Sequence, residues 1–293
     1  MKRSPKQASS TAAAYFELTK PNITFLILIS TALGYYLGGN GIENNIKFIL
    51  TIIGSCLVSS GAGALNHFAE MDSDWLMDRT KKRPIPTGMI EPDHARLFGV
   101  LLTLIGSGLL YLYVNPLTCV LALTTTLLYI FIYTPLKKLT WLNTSIGAIP
   151  GSIPPLGGWV AANGSLDPEA WILFAILFLW QHPHFYAIAL MYKDDYAKAN
   201  LKMLPVVEPD GRRTNRQIIW HALLLVPVSL VPVYMNNQGM VYFYGALILG
   251  LSYLISGFLL TKNSSIKNAR TLLQMSVIYL PGLFVIIILD KLL

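Results

Sequence analysis

Apolar runs about as long as a bilayer is thick recur in this chain from residue 22 almost to its C-terminus. Nine are read, at about 22–39, 47–67, 96–114, 117–135, 142–161, 169–191, 216–235, 239–261 and 271–290. A helix needs ~20 residues to cross a hydrocarbon core, and there each backbone N–H and C=O must be satisfied inside the protein. The chain is therefore expected to be all-α, a polytopic membrane protein built as a bundle of nine transmembrane helices. Its 293 residues would suffice for two soluble domains, yet only 13% are charged, about half of the ~25% that soluble domains carry. One membrane domain over 21–293 is expected, preceded by a short cytoplasmic segment, 1–20. The run at 142–161 differs from the others in its density of Gly and Pro.

Basic residues set the orientation. Of the 22 Lys and Arg, all but Lys47 and Lys291 fall on one side of these spans, which by the positive-inside rule is the cytoplasmic side of the inner membrane. The formal net charge of +7 is then a topology signal and a hold on anionic lipid. It is no sign of nucleic-acid binding. The first run lacks a small-x-small cleavage site, so it reads as a true span rather than a signal peptide. Cys56 and Cys119 fall inside spans without a CxxC pattern and read as small core residues.

Against so few charges, NHFAEMDSDWLMDRTKKRPIPTG at 66–88 stands out. Asn66, Glu70 and Asp74 are four residues apart. Each step of four advances ~40° and ~6 Å along a helix, so their oxygens share one face, while Asp72 points elsewhere, toward solvent. Such an oxygen stripe suits Mg²⁺, which takes one or two carboxylates and completes its shell with water and substrate phosphates. Arg79 and Arg83 follow at once, with guanidinium forks that fit phosphate. A lone D-x-x-x-D would read as a frayed, solvated helix end; the longer stripe and its arginines favour a metal–diphosphate site. Asn66, Glu70, Asp74, Arg79-Thr80, Arg83 and Gly88, at these spacings, resemble the motif of the UbiA superfamily of intramembrane prenyltransferases. Members are nine-helix proteins that move an isoprenoid from its diphosphate to an aromatic or porphyrin acceptor. Glu70 stands where Asp is commoner, and Ser73 where an apolar residue is usual.

YKDDYAKANLKMLPVV at 192–207 closes the sixth span on the same membrane face, so the two polar loops are placed to close over one cavity. The superfamily usually has a second D-x-x-x-D here. Adjacent Asp194 and Asp195 instead diverge by ~100° on a helix and do not chelate one ion together. The resemblance implies that one of them, Asp195 first, contributes from this loop beside Tyr196. The tyrosine-containing pattern followed by Met-Leu-Pro-Val-Val is similar to the branch of the superfamily whose acceptor is haem b. The stretches 133–161, 178–196 and 204–232 resemble the same branch.

That resemblance implies a reaction in which haem b, farnesyl diphosphate and water give haem O and diphosphate. Asn66, Glu70, Asp74 and Asp195 would hold Mg²⁺, with Tyr196 among the catalytic groups. Arg79, Lys81, Arg83 and Lys198 would clamp phosphate oxygens. His182 and His184 flank Pro183 on opposite sides of a span; an intramembrane His is a functional candidate, and the resemblance makes His184 a candidate contact for haem. The alternative is a His bonded to a carbonyl at the proline kink. Glycines and prolines at 150–158 would leave room for a flat macrocycle, or else form a helix-packing face. The implied partners are the bilayer and haem A synthase or terminal-oxidase assembly. Another UbiA-type enzyme acting on 4-hydroxybenzoate, naphthoate or chlorophyllide is a second reading, which a paired Asp in the second loop would favour. A transporter is a third, and it would place charges at mid-bilayer in several helices.

Overall fold

The computed structural model describes residues 10–235 and 238–292, and among them every regular element is helical. A short helix, α1 (Thr11–Leu18), is capped by Ser10, whose hydroxyl accepts from the Ala13 N–H, and leads into α2 (Pro21–Gly38). α3 (Asn45–Ala69) runs back and is prolonged past Glu70 by α4 (Met71–Leu76). α5 (Pro92–Tyr113) follows, then α6 (Pro116–Leu127), which passes through a π-helical turn at Leu128–Tyr133 into α7 (Thr134–Leu139). Next come α8 (Asn143–Ser152), α9 (Pro154–Asn163), α10 (Pro168–Met191), α11 (Lys193–Lys198) and α12 (Leu204–Val207). The chain ends with α13 (Arg212–Tyr234), α14 (Met240–Lys262) and α15 (Ile266–Leu292). Pro21, Pro92, Pro116 and Pro168 each open a helix, where a missing N–H costs nothing.

Eight helices among the described residues are long and apolar enough to cross a membrane; the chain is an integral, multi-pass membrane protein. The fifth of the nine expected spans differs. Residues 142–161 form α8 and α9, of 10 residues each, in tandem. Pro154 and Pro155 offer no N–H to the preceding turn, so the helix is interrupted at Ile153. Two such pieces still sum to ~30 Å of rise, a hydrocarbon thickness.

Close backbone contact fastens this broken span to α2. A Cβ on Gly34 would lie 2.0 Å from the Pro155 carbonyl oxygen, and one on Gly158 would lie 1.9 Å from that of Thr31. Small residues at both positions give the van der Waals contact that drives helix association in lipid. For Gly158 the packing role, and not room for a ligand, is what the structure shows. The largest apolar core joins α2, α10, α13, α14 and α15 around Tyr186, Tyr242, Tyr253 and Tyr279. Outward-facing Leu104, Leu112 and Ile248 are largely exposed, as lipid-facing side chains are.

At one end of the bundle the two polar loops meet. Met77, just after α4, packs with Ala189, Ala199, Leu201 and Met203. The Lys202 N–H donates to the Lys137 carbonyl at 2.6 Å, and Asn143 Nδ2 donates to the Lys202 carbonyl at 3.0 Å. This meeting positions the polar residues.

Candidate active site

Asn66 is on the last turn of α3, Glu70 is the residue between α3 and α4, and Asp74 is on α4. The near-helical path through Glu70 keeps all of them on one side, as their spacing requires. Each is met by a basic side chain. Arg83 Nη1 donates to both Asp74 oxygens at 2.8 Å. Lys137 Nζ donates to Glu70. Lys20 Nζ donates to the Asn66 amide oxygen and, at 3.3 Å, to the Tyr129 hydroxyl. The Asp74, Glu70, Lys137 and Arg83 side chains are 0, 14, 16 and 21% exposed, so these are buried pairs, whose partners are costly to remove singly.

The electrostatics follow from that crowding. Burial pushes Glu70 up, but Lys137, Lys20 and Arg83 overcome it and hold the carboxyl at about 2. Asp74 is raised by burial against the pull of Arg83. Burial takes Lys20 down to about 7, with Glu70 and Asp74 opposing. Lys20, Lys137 and Arg83 face only two carboxylates here, so the cluster is net positive when Lys20 is protonated.

Aromatic residues line the same place. Tyr129 and Tyr133 stack at 5.7 Å with their planes 23° apart, and Lys137 Nζ lies 4.4 Å from the Tyr133 ring centroid. The π-helical turn that carries them has a local cause. The Pro135 ring would clash with the carbonyl four residues back in an α-helix, and widening the preceding turn relieves this. Thr134 fills the widened turn, donating to the Tyr129 carbonyl at 2.9 Å while accepting from Asn66 Nδ2 at 3.0 Å.

The second loop closes from above. Asp195 accepts from the Arg79 backbone N–H at 3.1 Å, and Lys198 Nζ donates to Asp78 at 2.6 Å. The Arg79 guanidinium lies 5.1 Å from the Tyr192 ring centroid and 5.9 Å from that of Tyr196, whose hydroxyl it reaches at 3.5 Å. Lys81 pairs with Asp78 on the exposed surface.

Residues 27–278 match the model of the UbiA prenyltransferase family. The chain belongs to the UbiA prenyltransferase family. Curated relatives within it include the protoheme IX farnesyltransferase of Solibacter usitatus, 47% identical over 94% of this chain and 98% of that one. The same-named protein of Synechocystis sp. is 41% identical over 95% of this chain and 89% of its own length. Among solved structures, a digeranylgeranylglyceryl phosphate synthase superposes with a TM-score of 0.81 at 19% identity, over 97% of this chain and 99% of that one. A UbiA homologue from Archaeoglobus fulgidus bound to GPP and Mg²⁺ gives 0.69 at 17%, over 94% and 99%. At such identities these two speak for the UbiA fold. The chain is a prenyltransferase.

In this UbiA-family site the residues expected from the sequence separate into layers. Asn66, Glu70, Asp74 and Arg83 form the buried centre, with Arg83 serving as the counter-ion of Asp74. Asp195, Tyr196 and Arg79 form the layer above. Lys81 and Lys198 are half-exposed on Asp78 at the rim. Asp72 is exposed, as its place off the stripe requires. His184 is brought to none of these layers: its ring stacks on Trp180 at 4.9 Å and Nδ1 bonds Ser276 Oγ at 2.7 Å, seating it against α15. His182 faces the other way, with Nε2 3.0 Å from Ser145 Oγ and its ring on His221. Lys20, Lys137, Tyr129 and Tyr133 are site residues that sequence spacing missed; the partners of the two lysines lie 46 and 67 residues away.

Proposed function

We propose that this chain transfers the farnesyl group of farnesyl diphosphate to a vinyl group of haem b, with addition of water, giving haem O and diphosphate. The observation that carries the reading is the buried cluster at the end of α3, where an amide and two carboxylates are enclosed by three basic side chains. Relatives named protoheme IX farnesyltransferase, matched over nearly their whole length, support the choice of donor and acceptor.

The donor set fits Mg²⁺. Its atoms are hard oxygens, and among the described residues no three His, Cys, Asp or Glu gather closely enough to hold an ion by themselves, so substrate oxygens would have to complete the shell. Two carboxylates and an amide leave positions open, as an ion shared with a diphosphate needs. Glu70, Asp74 and Asn66 would hold it, with Asp195 approaching from the second loop. When bound, the metal would stabilise the charge that develops on the departing diphosphate.

The chain's own residues account for the rest. Lys137, Lys20 and Arg83, now donating to Glu70, Asn66 and Asp74, would turn N–H donors to the diphosphate oxygens that gain charge as the carbon–oxygen bond of the donor breaks. An allylic diphosphate carries about two charges on its terminal phosphate and another on the inner one. The cluster is biased toward such an anion before it arrives. The stacked faces of Tyr129 and Tyr133 flank that point and would shield the allylic cation. The vinyl carbon supplies the electron pair for the new carbon–carbon bond, and water then adds to the haem-side cation and loses a proton. Tyr196 and Arg79 close the site from above, which keeps bulk water from the farnesyl cation. The excess of basic residues on this face supports a cytoplasmic site, with the protein in the inner membrane, and haem O would pass to haem A synthase or oxidase assembly.

The test is to incubate the purified chain with haem b, farnesyl diphosphate and Mg²⁺ and to search for haem O by mass. Unmodified haem alongside prenylated 4-hydroxybenzoate would reject this acceptor.

A further inference from the structure

Lys20 occupies a place that elementary physics disfavours in three ways. Its backbone has φ 49 and ψ 59, a left-handed conformation in which the Cβ of an ordinary L-residue crowds the following carbonyl oxygen. Among the described residues, the other non-glycine positions with positive φ, Asn40 and Asn200, are of the type that tolerates it. Lys20 also stands at the N-cap of α2, the end of a helix that repels cations. Finally, its ammonium is directed inward, onto Asn66.

The surroundings enforce that placement. The elbow between α1 and α2 lies directly on α3 at Gly63, where a Cβ would stand 3.0 Å from the Leu18 carbonyl oxygen and 3.2 Å from that of Thr19. Thr24 then fastens the elbow, its hydroxyl 2.9 Å from the Thr19 carbonyl and 2.9 Å from Ser59 Oγ. Gly63 precedes Asn66 by three residues, so an elbow docked there delivers Lys20 to the next turn of α3. Backbone strain held by surrounding structure points to a function.

The pairing inside the cluster says which function. Glu70 has Lys137 and Asp74 has Arg83. Lys20 has no carboxylate of its own among the described residues; its ammonium is held by two neutral oxygens, those of Asn66 and Tyr129. It is therefore the supernumerary cation, seated on the one neutral oxygen of the metal-facing stripe. We propose that Lys20 is a resident cation of the metal-free site, which yields Asn66 to Mg²⁺ only when an incoming diphosphate offers its ammonium new oxygens. Metal and diphosphate then bind together, and metal alone is held off by the charge already present. Such coupling is reciprocal between the two ligands.

This inference rests on the reading of Asn66, Glu70 and Asp74 as the metal stripe, and its test separates the two. The purified full chain is titrated with Mn²⁺ alone, followed by electron paramagnetic resonance, as wild type, Lys20→Met, Lys20→Gln and Lys20→Arg. Retention of farnesyl thiolodiphosphate with and without Mg²⁺ is measured on the same proteins, and melting curves show that each is folded. Removing a like charge a few ångströms from a cation site changes affinity by on the order of tenfold or more. The Met and Gln variants should therefore bind Mn²⁺ alone about tenfold more tightly than wild type, with Arg unchanged. Equal Mn²⁺ affinity in all four, with metal-dependent retention of the thiolodiphosphate intact, overturns the role of Lys20 and leaves the metal site standing. Absence of metal-dependent retention in the wild type overturns both.

Discussion

Glu70 shows how much one side chain at this site depends on its neighbours. Its carboxyl is held at about 2 rather than the ordinary 4.5, a difference of roughly 3 kcal/mol at ~1.4 kcal/mol per unit. Because the folded value is the lower one, that stability is present above pH ~4.5 and is lost as pH falls toward ~2. Melting temperatures in detergent should therefore drop across this window for the wild type and less steeply for Glu70→Gln. At neutral pH the single change leaves Lys137 buried and unpaired, so Glu70→Gln should be destabilised by about 3 kcal/mol. Glu70→Gln with Lys137→Met removes both charges and should regain most of that stability. Haem O formation should stay at least ~100-fold down in the double variant, since the groups facing developing charge are gone. Recovery of activity with stability would show the pair to be structural. The acidic partners of this cluster were legible from a spacing of four. Lys20 and Lys137 were not, because a basic residue at a membrane-helix end carries the same message whether it marks topology or enters a site.

At the scale of elements, the two loops and the broken span make opposite demands. The loops are joined by half-exposed pairs such as Lys198 with Asp78, each worth ~0–1 kcal/mol, and by the Arg79 guanidinium between Tyr192 and Tyr196. Arg79→Ala should leave the melting temperature nearly unchanged. It should raise amide exchange over 192–201 and increase KM for farnesyl diphosphate, which exchange mass spectrometry and steady-state kinetics would detect. The contact between α2 and α9 has no such slack. Gly34→Leu sets a side chain against the Pro155 backbone and should cost at least ~3 kcal/mol, seen as lost thermal stability, whereas lipid-facing Leu104→Ala should not. The prolines of 142–161 announced an irregular span. They did not say whether the glycines served a ligand or a neighbouring helix, because composition is the same in both cases and only the distance to Thr31 and Pro155 decides.

For the whole molecule, the lengths of the apolar runs determined an all-helical membrane bundle, since lipid leaves the backbone few options. What those lengths left out was depth: which polar atoms meet when eight full spans and a broken one are packed together. His184 illustrates the gap: Trp180, four residues back on the same helix, was within reach of its sequence position, and Ser276, on α15, was not. The bundle does not need a metal to hold its shape, because every member of the central stripe already has a basic partner. A chelator should therefore abolish turnover while leaving the melting curve of the substrate-free protein unchanged, and Mg²⁺ should restore activity without refolding.

The π-helical turn at Leu128–Tyr133 turns the aim of Lys137 into a question of phase. A wide turn takes up one residue more than an α-helix needs, so everything beyond it keeps the direction that an α-helix one residue shorter would give it. Tightening the turn to an ordinary α-helix with every residue kept would leave the apolar length hardly changed and Lys137 still present in the sequence. The lysine would nevertheless face about 100° away from Glu70. For this segment, the width of one turn matters more to the reaction than the identity of most of its residues.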